Sequence, residues 1–138
     1  MIEAISQVNW LAVLVASIAN FLLGGIWFVA LVGKYYPIVL GIADRPPQKP
    51  GPLFLIGPFV CSFFTIAASA ILLRALSISS YSAALELGLV ISIGYLVPMT
   101  LNIAINPLFP RPFAYTLLNA PFFILGSLLS CAILVALS

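Results

Sequence analysis

Four apolar stretches divide the chain, and they set every later expectation. The first covers 9–32 and holds no charged residue. At ~1.5 Å per residue, about 24 residues in a helix reach about 36 Å, enough to cross a hydrocarbon layer of ~30 Å. The second covers 52–76 and stays uncharged until Arg74. The third covers 81–105 and is interrupted only by Glu86, and the fourth covers 113–137 without a charge. Each is too long for a buried helix of a small soluble domain. A backbone inside lipid must pair its own donors and acceptors, so the stretches read as helices. The alternating pattern of a barrel strand is missing. The fold expected is therefore all-α: one transmembrane domain over 1–138, built as an integral membrane four-helix antiparallel bundle.

Three connections join the spans. Gly33 to Gly51 is a long loop with Lys34, Asp44, Arg45 and Lys49. Pro46, Pro47, Pro50 and Pro52 keep its second half extended, and its apolar middle, Ile38 to Ile42, is expected at the lipid surface. Ser77 to Ser80 is a tight turn. Asn106 to Pro112 is a turn stiffened by three prolines. The loops after the first and third spans carry Lys34, Arg45, Lys49 and Arg111, while the opposite side has only Arg74. Basic residues stay on the cytoplasmic side. The expected location is the cell membrane, with both termini extracytoplasmic. Trp10 and Tyr81 then mark the outer interface, and Tyr35, Tyr36 and Tyr115 the inner one. The first stretch follows Glu3 with no Lys or Arg before it, so it reads as a permanent helix rather than a signal peptide.

Composition narrows the chemistry. Of 138 residues, 64% are hydrophobic and 6% charged, far below the roughly 25% charged of a soluble domain. The net charge of +2 forms no basic stripe, so a nucleic-acid partner is not expected. Histidine is absent and only two cysteines occur, which excludes a Cys/His zinc site and a histidine-based nucleophile pair. Glu3, Asp44 and Glu86 are the only carboxylates. No catalytic residue, metal or cofactor is expected, and the chain is read as non-enzymatic.

Each span carries one stripe of small or polar residues. These are Ala12, Ala16, Asn20, Gly24 and Trp27 in the first; Gly57, Cys61, Thr65 and Ser69 in the second; Ala84, Gly88 and Ser92 in the third; and Asn119, Gly126 and Ser130 in the fourth. Small residues let helices approach closely in lipid, so the stripes are expected to face inward or to meet a second subunit. Gly24, Gly25 and Trp27 form a packing motif. Asn20, near mid-membrane, is expected to bond to another helix. A candidate polar set comprises Asn20, Glu86, Asn102, Asn106 and Asn119. Pro98 and Pro121 should free the carbonyls of Gly94 and Leu117 within it. Glu86 is the one acidic residue inside a span, which makes it a functional candidate. It also lies a short turn away from Arg74, and a structural Arg74–Glu86 ion pair explains both charges. Cys61 and Cys131 sit at different depths and are expected as two free, buried thiols.

Asn9-Trp10-Leu-Ala-Val, then Asn20-Phe-Leu-Leu-Gly-Gly25-Ile-Trp27-Phe28 and Gly33-Lys34, resemble the opening of a family of small four-helix membrane proteins from bacteria and fungi, catalogued as a domain of unknown function. The family's pattern has a Gly-x-x-Trp-Tyr element before a Gly-Lys segment; here Phe28 stands at the tyrosine. The Asn106–Pro112 turn and Asn119 are similar to its second patterned region. The resemblance implies a four-span bundle and no activity. Small multidrug exporters carry a glutamate in their first helix, which this chain lacks. The leading expectation is a membrane protein acting through helix–helix association, with the lipid bilayer and either its own copies or a larger membrane complex as partners. A small transporter or channel using Asn102, Asn106, Asn119 and Glu86 is the alternative, and a lipid- or pigment-binding protein the second alternative.

Overall fold

A computed structural model describes residues 1–47 and 49–138. A 3-10 turn over Ile2–Gln7 leads into α1, Trp10–Leu31. A one-turn helix, α2, spans Tyr36–Val39. Three long helices follow: α3, Pro52–Ala75; α4, Tyr81–Ala104; and α5, Pro112–Ala136. α1, α3, α4 and α5 are each long and apolar enough to cross a membrane. No strand occurs among the described residues.

Sequence chemistry explains the helix ends. Asn9 caps α1: its Oδ1 accepts from the backbone N–H of Leu11 and Ala12 at 3.1 and 3.2 Å. Its Nδ2 donates to the carbonyl of Leu137 at 2.8 Å, tying the start of α1 to the end of α5. Ser80 caps α4 through the N–H of Ala83. Pro52 and Pro112 stand at the first positions of α3 and α5, where no donor is lost. α3 ends in a Schellman motif: Ser77 N–H bonds the Arg74 carbonyl and Ile78 N–H bonds that of Leu73. The left-handed position is filled by Ser77, at φ 54°, instead of glycine.

α5 is the shared partner of the bundle, packing against α1, α3 and α4. α1 also packs along α3, while α3 and α4 barely touch. The densest core lies toward the end holding both termini, where Ala12, Val13 and Ala16 meet Ala67, Ala70, Leu73, Cys131 and Leu134. α4 and α5 approach most closely at Gly88, where a Cβ would lie 3.1 Å from the Ser127 carbonyl oxygen.

Two spans contain a π-helical segment. α1 widens over Ile26–Leu31 and α4 over Ser92–Leu96. A π turn adds in effect one residue and rotates the following face by roughly 100°. In α4 it precedes Pro98 and lets Ala84, Gly88, Ser92 and Ala104 all be buried.

Several expectations change. The second stripe is displaced: α3 buries Ile66, Ala67, Ser69, Ala70 and Leu73, while Cys61 is exposed. Pro58 lies inside the helix near there, and the six residues of α3 before it stand mostly clear of the bundle. Cys61 and Cys131 are both free, but only Cys131 is buried. In the first loop, α2 forms at Tyr36–Val39 and overlaps only the first two residues of the Ile38–Ile42 segment expected at the lipid surface. The Arg111 guanidinium donates to the Ile38 carbonyl, which joins the first loop to the third.

Gly88→Ala should push α4 off the α5 backbone and cost about 1–3 kcal/mol. Reversible unfolding in mixed detergent micelles checks this; an unchanged midpoint would contradict the close approach.

Candidate functional site

The polar groups of the bundle settle in two places. The first is at the end of the bundle away from the termini. α2 delivers Tyr36 inward, and its hydroxyl donates to Asn119 Oδ1 at 2.6 Å. Asn119 Nδ2 donates in turn to the Tyr115 carbonyl at 2.8 Å, so the buried amide is used at both ends. Trp27 Nε1 donates to the Leu118 carbonyl at 2.8 Å. The freed carbonyl expected here was that of Leu117; Leu117 faces outward, and the indole bonds the adjacent Leu118 carbonyl instead. Aromatic edges close the node. Phe28 meets Tyr36 and Phe122 at centroid distances of 5.7 and 4.9 Å, and Tyr115 meets Tyr36 and Phe109 at 5.9 and 4.9 Å. Phe28 therefore serves here as a packing ring. Burial pushes the Tyr36 phenol well above its ordinary 10.0; nearby Tyr115 adds to this, and the Asn119 bond opposes it.

The second place is mid-bundle. Asn20 is 7% exposed, and its Nδ2 donates to Ser62 Oγ of α3 at 3.1 Å. This is the interhelical bond expected of Asn20. Its Oδ1 lies over Gly126 of α5, so closely that any Cβ there would run into it. Beside this contact α1, α3, α5 and Leu96 of α4 leave a cleft of about 230 Å³, with Thr65, Ser69, Phe122 and Ser130 in its walls. No charged side chain lines it. Ser17, Thr65, Ser69 and Ser92 donate to the carbonyl four residues back, as hydroxyls in apolar helices do. Ser130 Oγ is buried without a partner. A lining of hydroxyls, one amide and aromatic rings accepts neutral groups; it has nothing to balance an ion.

The remaining candidates do not converge. Glu86 is exposed, because it lies roughly 200° round α4 from Ala84, which faces α5. Arg74 is exposed too, and no ion pair joins it to Glu86 within 4.0 Å. The expected pair fails because α3 and α4 scarcely pack and Glu86 points to the far side. Asn102 is exposed on α4. Asn106 is spent locally, its Nδ2 on the Ile103 carbonyl and its Oδ1 on the N–H of Leu108. Gly94, whose carbonyl Pro98 was to free, is exposed. In the packing motif Gly24 meets the Phe122 ring at 3.4 Å and Trp27 bonds α5, but a Cβ on Gly25 would touch nothing. Among the described residues no cluster of three metal-ligating side chains occurs. Sequence reasoning missed Ser62 and treated Tyr36 only as an interface aromatic. The Tyr-Pro pair at 36–37, which starts a helical turn beside the first span, was the available signal.

These helices and their neutral, hydroxyl-rich seam define a multi-pass integral membrane protein of the small four-span class. A family model described as "Protein of unknown function (DUF1761)" matches residues 11–135. The chain belongs to that family. No curated protein and no solved structure matches it.

Tyr36→Phe should leave Asn119 Oδ1 unpaired and lower stability by about 0.6–1.7 kcal/mol, the span measured for bonds between membrane helices. Because the phenol is raised in the folded protein, its contribution is full below pH 10 and declines as pH rises further. Tyrosinate absorbance, wild type minus Tyr36→Phe, should stay flat through pH 10; a normal band there would remove Tyr36 from the buried node.

Proposed function

We propose that this chain is a non-enzymatic membrane protein that works through helix–helix association, as a homo-oligomer or as an accessory subunit of a larger membrane complex. The outward face of α4 carries the reading. Glu86 lies within that span, exposed and on the side away from α5. A carboxylate turned toward hydrocarbon is costly, and a neighbouring helix offering a donor removes the cost. Tyr95 and Asn102 add exposed polar groups along α4. Transport through Asn102, Asn106, Asn119 and Glu86 is less well supported, since these groups lie apart and two of them are spent on local or interhelical bonds.

The membrane is the cell membrane in this reading, with both termini outside. Lys34, Arg45, Lys49 and Arg111 in two loops, against Arg74 opposite, support this orientation.

Gentle extraction from the native membrane followed by native mass spectrometry should yield the chain with copies of itself or with a larger assembly. Glu86→Gln should lower the assembled fraction severalfold. Monomers alone, or an assembly indifferent to this substitution, would overturn the reading. A reporter active only outside the cytoplasm should light up when fused to the C-terminus; activity of a cytoplasm-only reporter there reverses the orientation.

A further inference from the structure

The mid-bundle cleft of about 230 Å³ holds a hydroxyl that the fold leaves unused. A serine or threonine inside an apolar helix ordinarily donates to the carbonyl one turn back. Ser17, Thr65, Ser69, Ser92, Thr100 and Thr116 all do so. Ser130 does not. It is 3% exposed and stands in the cleft wall, and its Oγ meets no partner among the described residues. Thr65 and Ser69, in the α3 wall, have spent their protons on their own helix, so their oxygens have only lone pairs left to offer. Asn20 has its amide nitrogen on Ser62. Ile66, Leu96, Phe122 and Phe123 make much of the remaining lining apolar.

We infer that this cleft binds an uncharged lipophilic alcohol, whose hydroxyl accepts from Ser130 Oγ and donates to the hydroxyl oxygen of Thr65 or Ser69. Charge, size and access select this class. No charged side chain lines the cleft, so an ion finds no counter-charge. The volume exceeds the ~150 Å³ of an apolar cavity that takes one benzene and falls below the ~300 Å³ of the smallest drug-sized pockets. A ring or the end of a chain fits it, whereas one water, at ~30 Å³, leaves most of it empty. Cys61 is exposed and belongs to the lining, so it marks the mouth. It lies about 14 Å along the 24-residue α3, at ~1.5 Å per residue, and the mouth therefore opens onto lipid tails. The guest arrives dissolved in the bilayer. A plain hydrocarbon leaves Ser130 unpaired, and a carbonyl answers Ser130 but not the acceptors on α3. A hydroxyl is donor and acceptor at once and meets both. The site lies apart from Glu86 and does not rest on the association proposed above.

The test is photolabelling of the full chain in liposomes with two probes of equal length, an octanol and an octane that each carry a diazirine. Labelled positions are mapped by peptide mass spectrometry and normalised to the lipid-facing Val29 and Leu117. In wild type the alcohol should label the cleft residues Thr65, Leu96 and Phe122 about fivefold more than the alkane, the factor expected of one net hydrogen bond. Excess p-cresol or 1-octanol should compete, and the stronger competitor tells a ring alcohol from a chain alcohol. Ser130→Ala should abolish the preference while leaving the thermal midpoint of the probe-free protein unchanged or raised, because the hydroxyl it removes has no partner there. Equal cleft labelling by alcohol and alkane, no cleft labelling by either, or labelling that neither competitor reduces would overturn the inference from wild type alone. An undiminished preference in folded Ser130→Ala would overturn it too, and so would a lowered midpoint, which would make the hydroxyl a structural bond.

Discussion

The whole arrangement depends on how closely α5 lets other helices approach it. In lipid no hydrophobic force gathers helices together, because the surrounding tails are as apolar as the side chains. Contact must come from dispersion at short range and from a few hydrogen bonds. α5 supplies both along one seam. Gly126 makes room for Asn20, the Ser127 backbone receives Gly88, and Cys131 and Leu134 join the core at the terminal end. α3 and α4 scarcely meet: α4 owes its place to α5, and α3 owes its place to α1 and α5.

The two ends of the bundle are held by different physics. Toward the termini, alanines and small branched chains pack without polar help, apart from Asn9 tying two helix ends. At the other end Pro58 separates part of α3, and the remaining contacts are directional. An indole, a phenol and an amide reach carbonyls or one another across helices, and aromatic edges fill the space around them. In a medium without water such bonds have no competing solvent, which is why each buried side-chain polar atom among the described residues, save Ser130 Oγ, has been given a partner.

Proline and the π turns explain why the polar residues divide as they do. Each removes or displaces a rung of the backbone ladder and rotates the remainder of its helix. The π segment of α4 brings Ala104 back to the seam and leaves Asn102 outside. Pro121 removes the donor that would serve the Leu117 carbonyl, yet the Trp27 indole bonds the carbonyl of Leu118 instead. Amides that share a depth therefore need not share a site.

The number of crossings, their limits to within a residue or two, the small-residue seams of the first, third and fourth spans and the family were legible in the linear order of residues. Those properties follow from segment length, apolar content and the backbone's need to satisfy itself in hydrocarbon, and none of them requires knowing which helix touches which. Tertiary structure alone decided that Tyr36 meets Asn119 and that Arg74 and Glu86 stay apart. The rotation of each helix about its axis sets these contacts. The π turns and the interior prolines change that rotation part-way along a span, and a single residue's turn moves a side chain from the seam to the lipid.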